Sequence, residues 1–229
     1  MSSYKCEKCK DTGWILTSQP DSAPLAKSCE CRELEKVNNQ WIAAGINPEQ
    51  SNHTFSNFQV CNESSRKAKD TAISYYKDFE DNRKSRTNSI LLCGQPGGGK
   101  THLSVALGLN FMKKKIKVVY MPYRDVITKV KQNMLDEEYY RKLISRYQTC
   151  EVLLMDDLFK GKISDADINI IFEIINHRYN NYLPVIVSTE FTIERLLSFD
   201  EAIGSRIYEM SKSYVVEIEK NKGNNYRLR

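Results

Sequence analysis

Gly94-Gln95-Pro96-Gly97-Gly98-Gly99-Lys100-Thr101 places two glycines, a lysine and a hydroxyl at the spacing G-x-x-x-x-G-K-[ST]. Such a loop makes a phosphate site because its backbone N–H groups turn inward, where a Cβ would block the approach. Lys100 is then placed to reach the β- and γ-phosphates, and Thr101 to offer its hydroxyl to Mg²⁺. Gln95, Pro96, Gly97, Gly98 and His102 complete the loop and first turn that would surround the nucleotide. Farther on, the apolar run Val152-Leu153-Leu154-Met155 ends in Asp156-Asp157. Two carboxylates at a strand end suit two tasks: Asp156 would hold Mg²⁺ through water, and Asp157 would orient or deprotonate the attacking water. A third cluster, Cys6-x-x-Cys9 with Cys29-x-Cys31, offers four thiolates from two close pairs, the set that structural zinc takes. An iron–sulfur cluster, or free or disulfide-bonded cysteines, are the competing readings. Cys61, Cys93 and Cys150 stand apart near predicted core elements and are expected as buried thiols.

These groups need a scaffold, and the chain punctuates one. Ile90-Leu91-Leu92-Cys93 reads as a buried strand feeding the glycine loop, and a helix opens at His102. The helix N-terminus adds its partial positive charge to the phosphate site. Further strands are expected at 117–121, 152–155, 184–187 and 214–218, with helices over 64–83, 123–134, 136–147 and 165–179. Ile168, Ile171, Phe172 and Ile175 recur at helical spacing as a core face. Alternating strands and helices around a phosphate loop predict a three-layer α/β fold with a parallel five-stranded sheet. Residues 1–45 read as a cysteine module with a charged helix over 30–44, 46–60 as a linker, and 61–229 as the nucleotide-binding domain. A module of about 45 residues is too small to bury a sufficient core, so a metal would supply the missing stability.

Lys+Arg 34 against Asp+Glu 29 leaves +5, spread along the chain, which permits a nucleic-acid partner without requiring one. No apolar run reaches 18 residues and the N-terminus is polar, so a cytoplasmic protein with no membrane partner is expected.

The chain resembles the AAA+ replicative helicase loaders of the DnaC/DnaI type. The matching pieces are the cysteine pairs with Asp11-Thr12-Gly13-Trp14, Gly94 to Leu103, and Leu154-Met155-Asp156-Asp157-Leu158. Phe172 to Tyr179, Val187-Ser188-Thr189-Glu190, Gly204-Ser205-Arg206-Ile207 and Gly223 to Arg227 extend the match along most of the chain. The resemblance implies an ATPase that uses ATP and Mg²⁺, releases ADP and delivers a hexameric replicative DNA helicase onto single-stranded DNA, without base specificity. It implies that Lys100, Asp156 and Asp157 are catalytic and that Thr189, or its neighbour Ser188, is a sensor of the γ-phosphate. It makes Arg206 a finger acting on nucleotide held by a neighbouring subunit, hence self-association through the ATPase interface, and Arg227 a second sensor. Among exposed cations, Lys129 and Lys131, or Lys160 and Lys162 flanking Gly161, become candidates for DNA contact.

Two departures from the AAA+ pattern stand out. Asp157 occupies the position where most AAA+ ATPases have Glu, and its shorter side chain predicts slow turnover that a partner or DNA modulates. Only 23 residues follow Arg206 (229 − 206), so the helical lid is expected to be missing or vestigial. Two other readings compete: a transposition-helper ATPase of the IstB type, which usually lacks a cysteine module, and a nucleotide-gated adaptor that binds a replication helicase without useful hydrolysis.

Overall fold

Alternation within each strand decides the architecture. In the computed structural model, which describes residues 4, 6–17, 25–29, 31, 32, 42, 46 and 53–228, Ile90 and Leu92 of strand β3 (Ile90–Gly94) face one core cluster, while Leu91 and Cys93 face another. The same division runs through β4 (Val118–Pro122), β5 (Val152–Leu158), β6 (Val185–Thr189) and β7 (Val215–Ile218). A strand apolar on both faces has to be covered on both, which is the condition of a parallel sheet. The five strands pair in parallel in the order β4-β5-β6-β3-β7. Helices α1 (Glu63–Asn82) and α2 (Lys100–Lys113) cover one face through Ala72, Tyr75, Phe79, Leu107 and Phe111. Helices α3 (Tyr123–Gln132), α4 (Glu137–Thr149), α5 (Asp165–Asn180), α6 (Ile193–Phe199) and α7 (Glu201–Ser211) cover the other. This is the expected three-layer fold. No described helix is long and apolar enough to cross a membrane.

Capping fixes where the helices begin. Asn62 accepts from the Ser65 N–H at 2.8 Å while the Ser65 hydroxyl accepts from the Asn62 N–H at 3.0 Å, a reciprocal box that starts α1. Helix α2 differs: its N-cap is Gly99 in the left-handed region (φ 83°), with no side-chain cap. Its first N–H groups are thereby left for a ligand.

Two expectations need correction. Phe172 is not on the core face of α5; it lies on the exposed side, and the buried stripe is Ile170, Ile171, Ile174 and Ile175. Cys61 is exposed just before α1, whereas Cys93 is buried and Cys150 half-buried. After β7 the described chain makes two short 3-10 turns, Lys222–Asn224 and Tyr226–Leu228. The charged helix expected over 30–44 lies mostly outside the described residues. An antiparallel hairpin, β1 (Trp14–Thr17) and β2 (Leu25–Ser28), joins the two cysteine pairs.

Among the described residues Arg178 is the largest fully buried side chain. Its guanidinium donates to the carbonyls of Tyr147 (2.9 Å), Cys150 (2.9 Å) and Pro184 (2.7 Å), tying the end of α4 to the entrances of β5 and β6. Burial lowers its pKa. Substitution Arg178→Met strands those carbonyls and should cost about 3 kcal/mol or more, read as a lower urea midpoint by circular dichroism. A cost below about 1 kcal/mol would mean that water or other donors replace it.

Candidate nucleotide-binding site

Parallel strands end together, and here the carboxyl ends of β3, β4 and β5 deliver Gly94, Pro122 and Asp156 to one edge. Ligands of open α/β sheets collect at that edge. It opens into a cleft of about 660 Å³ lined by the loop 96–99, Lys100, Thr101, His102, Asp156, Asp157 and Arg227. Gly94 and Gln95 lie behind it. A Cβ on Gly94 (φ 97°) would stand 2.3 Å from the Ile218 carbonyl oxygen of β7, and one on Gly97 (φ 74°) 2.1 Å from Asn225 Oδ1. At these two positions glycine also serves the packing of the loop on the C-terminal strand and turn. Tyr226 N–H donates to the Gly97 carbonyl at 2.9 Å, closing that contact.

Lys100 is 5% exposed, and its ammonium donates to the Gly94 and Gln95 carbonyls at 2.8 and 2.7 Å. Burial lowers its pKa, against the opposing pull of Glu190 and Asp157. The carboxylate of Asp156 is buried and, among the described residues, receives only hydroxyls: Thr101 (3.0 Å), Tyr120 (2.9 Å) and Ser188. Burial raises its pKa; Ser188 opposes this, and the neighbouring charge of Asp157 adds to it. A buried carboxylate with no cationic partner among the described residues, and with a threonine hydroxyl at hydrogen-bond distance, is an oxygen donor set suited to Mg²⁺. Thr101 and Asp156 would hold the ion.

Asp157 stands beside it on a left-handed backbone (φ 54°), at a register shift in the β5–β6 ladder. Its N–H donates to Ser188 Oγ at 2.9 Å, so Ser188 contacts both members of the acidic pair. Thr189 is turned away: its hydroxyl donates to the Leu158 carbonyl at 2.8 Å and accepts from the Phe191 N–H at 3.2 Å. Of the two sensor candidates the geometry therefore singles out Ser188.

Several lining residues carry no motif. His53 and His102 rings lie 4.6 Å apart, and Phe58 meets His102 edge-on at 5.2 Å and Tyr226 at 5.8 Å. His102 Nε2 hydrogen-bonds the Thr54 carbonyl at 2.8 Å, which makes it the donor, since a carbonyl only accepts. Burial lowers the pKa of both histidines. The segment expected as linker is thus one wall of the cleft, with the tail as another. Tyr120, Arg124 and Asp125 enter from the β4 end; the rule that ligands gather at strand ends was the one signal able to flag them.

Arg206 does not line its own chain's cleft. It donates to the Ala202 carbonyl at 2.6 Å and its guanidinium lies 5.3 and 5.4 Å from the rings of Phe172 and Tyr179. Two of the four lysines considered for DNA are engaged: Lys131 with Asp167 at 2.8 Å, and Lys160 with Asp157 at 2.7 Å. Lys129 and Lys162 are exposed.

The cysteines converge separately. The sulfurs of Cys6, Cys9, Cys29 and Cys31 all lie within 4.8 Å of one another, and none is in a disulfide. Cys6 and Cys29 are 3.8 Å apart, and Cys9 and Cys31 3.3 Å. Tetrahedral zinc with bonds of about 2.3 Å sets its sulfurs roughly 3.8 Å apart, so the four thiols fit the ion. Gly13 N–H points at Cys9 Sγ at 3.4 Å. Burial alone would raise Cys9, but hydrogen bonds led by Cys31 outweigh it and bring it to about 7.

Residues 25–229 match the family described as IstB-like ATP binding protein. In Bacillus subtilis (strain 168) the chain is similar to the uncharacterized protein YqaM, 37% identical over 91% of this chain and 77% of that one. It is also similar there to the phage-like element PBSX protein XkdC, 34% identical over 99% and 86%. The replicative helicase loader DnaC of Escherichia coli (strain K12) is 22% identical over 82% and 73%. An insertion sequence IS21 putative ATP-binding protein of Pseudomonas aeruginosa is 26% identical over 46% and 39%. Among solved structures, the DnaC helicase loader superposes with a TM-score of 0.60 at 27% identity, over 75% of this chain and 99% of that one. DnaI shares the fold, with a TM-score of 0.62 at 18% identity over 76% and 94%.

The cysteine geometry predicts about one zinc per chain in protein purified without chelator. The Cys9→Ser, Cys31→Ser double variant should lose it, by elemental analysis, while fluorescent ATP-analogue binding persists. A double variant that keeps a full equivalent would refute the four-cysteine site.

Proposed function

The chain belongs to the IstB/DnaC-like AAA+ ATP-binding family, and we propose that it is a slow ATPase of the cytoplasm that loads a hexameric replicative helicase onto single-stranded DNA. The observation that carries the ATPase reading is the convergence of the glycine loop, Lys100, Thr101 and the Asp156-Asp157 pair on one cleft. The loader reading rests on the extent of the likeness. The helicase loader DnaC matches over most of the chain, whereas the IS21 protein matches less than half of it. The transposition-helper reading is second, favoured by the family description itself, and XkdC supports a mobile-element setting for either.

In this reading the loop N–H groups and Lys100 bind the phosphates, and Mg²⁺, when bound, neutralises the charge that develops on them. Asp157 orients the attacking water and accepts its proton as the water oxygen bonds to the γ-phosphorus. The bond from that phosphorus to the β-γ bridging oxygen breaks, and ADP and phosphate leave. Ser188 positions Asp156 and the Asp157 backbone. Arg206, outside its own cleft, serves the nucleotide of a neighbouring subunit, so turnover depends on assembly. The zinc module docks on the helicase. Exposed Lys129 and Lys162 are the DNA-contact candidates, with Arg227 reading the bound nucleotide.

Lys100→Ala should abolish ATP-analogue binding, whereas Asp157→Asn should retain binding and lose turnover by about 100-fold. Size exclusion with light scattering, against a hexameric replicative helicase with and without ATP, tests the partner. A stable complex lost on deleting residues 1–45 is the expected result; no complex in any nucleotide state would favour the transposition helper.

A further inference from the structure

We infer that Lys160 is a positioning residue that holds the Asp157 carboxylate out of service, and that turnover begins when this ammonium moves to Glu190 or to the nucleotide. The inference rests on the proposed ATPase reading. Lys160 Nζ lies 2.7 Å from Asp157 Oδ2 and 3.4 Å from Glu190 Oε1, and all three residues line the cleft. The lone pair that Oδ2 gives to the ammonium is one that a water proton would need.

The placement of Lys160 is built, not incidental to a mobile surface side chain. Its predecessor Phe159 is buried against Tyr123, Phe191 and Phe199, with ring centroids at 5.8, 5.9 and 4.9 Å. Its own N–H donates to the Asp157 carbonyl at 3.1 Å, so a tight turn faces the ammonium back onto the carboxylate. Three residues of five in that turn are left-handed: Asp157 (φ 54°), Phe159 (φ 60°) and Gly161 (φ 89°). Two of them carry side chains, and such strain collects where a segment has to switch. Glu190, already within reach, gives the ammonium a second seat without a rearrangement of the backbone.

The turn is also wired to the surface. Arg124 Nη1 donates to the Lys162 carbonyl at 3.2 Å and lies 3.1 Å from where a Cβ on Gly161 would stand. Arg124 is itself in the cleft lining, on the first turn of α3. A ligand or partner that draws on Arg124 pulls on the same turn that carries Lys160. A slow basal rate then has a second source besides the short reach of Asp157.

The test compares steady-state ATP turnover of wild type, Lys160→Met, Lys160→Arg and Lys100→Ala, each alone and with single-stranded DNA. The pair is about one-third exposed on each side, so releasing it should raise basal kcat about two- to fivefold. KM should change less than kcat, and Lys160→Arg, which restores a cation, should return the wild-type rate. A Lys160→Met rate at or below wild type, with ATP-analogue binding intact, overturns the inference and assigns Lys160 to phosphate contact or to the fold. If wild type itself never exceeds Lys100→Ala, with or without DNA, the ATPase reading fails and the inference falls with it. Thermal melting of Lys160→Met close to wild type separates release of the carboxylate from loss of structure.

Discussion

The buried carboxylate of Asp156 is the constraint on which the site depends. Its acceptors are filled by Thr101 from α2, Tyr120 from β4 and Ser188 from β6, three elements distant in sequence and adjacent only when the sheet closes in the order β4-β5-β6-β3. Hydroxyls satisfy the hydrogen-bonding capacity of a carboxylate but leave its charge unbalanced, and burial raises its pKa accordingly. The site is thus held together by a group that is itself under electrostatic tension. A divalent cation would relieve that tension where the phosphates arrive, linking folding of this edge to nucleotide binding.

Around that centre the parts divide by what holds them. The glycine loop leans on β7 and the C-terminal turn, because Gly94 and Gly97 leave room only for the Ile218 backbone and Asn225. Lys100 turns inward to the loop carbonyls, which keeps an ammonium in a desolvated position at the cost of a lowered pKa. The acidic side is less settled. Asp157 follows the register shift in β5 and sits on a left-handed backbone beside a lysine and a second acid. The glycine loop and the acidic pair are thus held by different contacts, the first by the C-terminal strand and turn and the second by its own tight turn and Lys160.

The glycine loop, the acidic pair and the cysteine set were legible because each is short in sequence and its chemistry dictates its spacing. The sheet was legible because two-sided burial makes apolar runs. What was hidden depended on direction, not on residue type. Phe172 shares helical spacing with Ile168 and Ile175, yet the buried stripe runs through Ile170, Ile171, Ile174 and Ile175, so Phe172 faces solvent and lends its ring to Arg206. Thr189 and Ser188 are equally suited to sense a phosphate, and only the pleat decides which faces Asp156. Lys160 reads as a surface cation until the tight turn beginning at Asp157 folds it back over the acid.

The aromatic wall encloses one side of the cleft. His53 and Phe58 arrive from the segment before α1, His102 from α2, and Tyr226 from the final turn. The Tyr226 hydroxyl donates to the Gln59 carbonyl, and Asn62 Nδ2 donates to the Gly223 carbonyl at 3.0 Å. Segments from opposite ends of the domain are thereby stitched across the mouth of the glycine loop. Nucleotide-dependent change in this chain has to be sought at the acidic edge and at Arg206, where the contacts are few and charged, because the aromatic side is already packed.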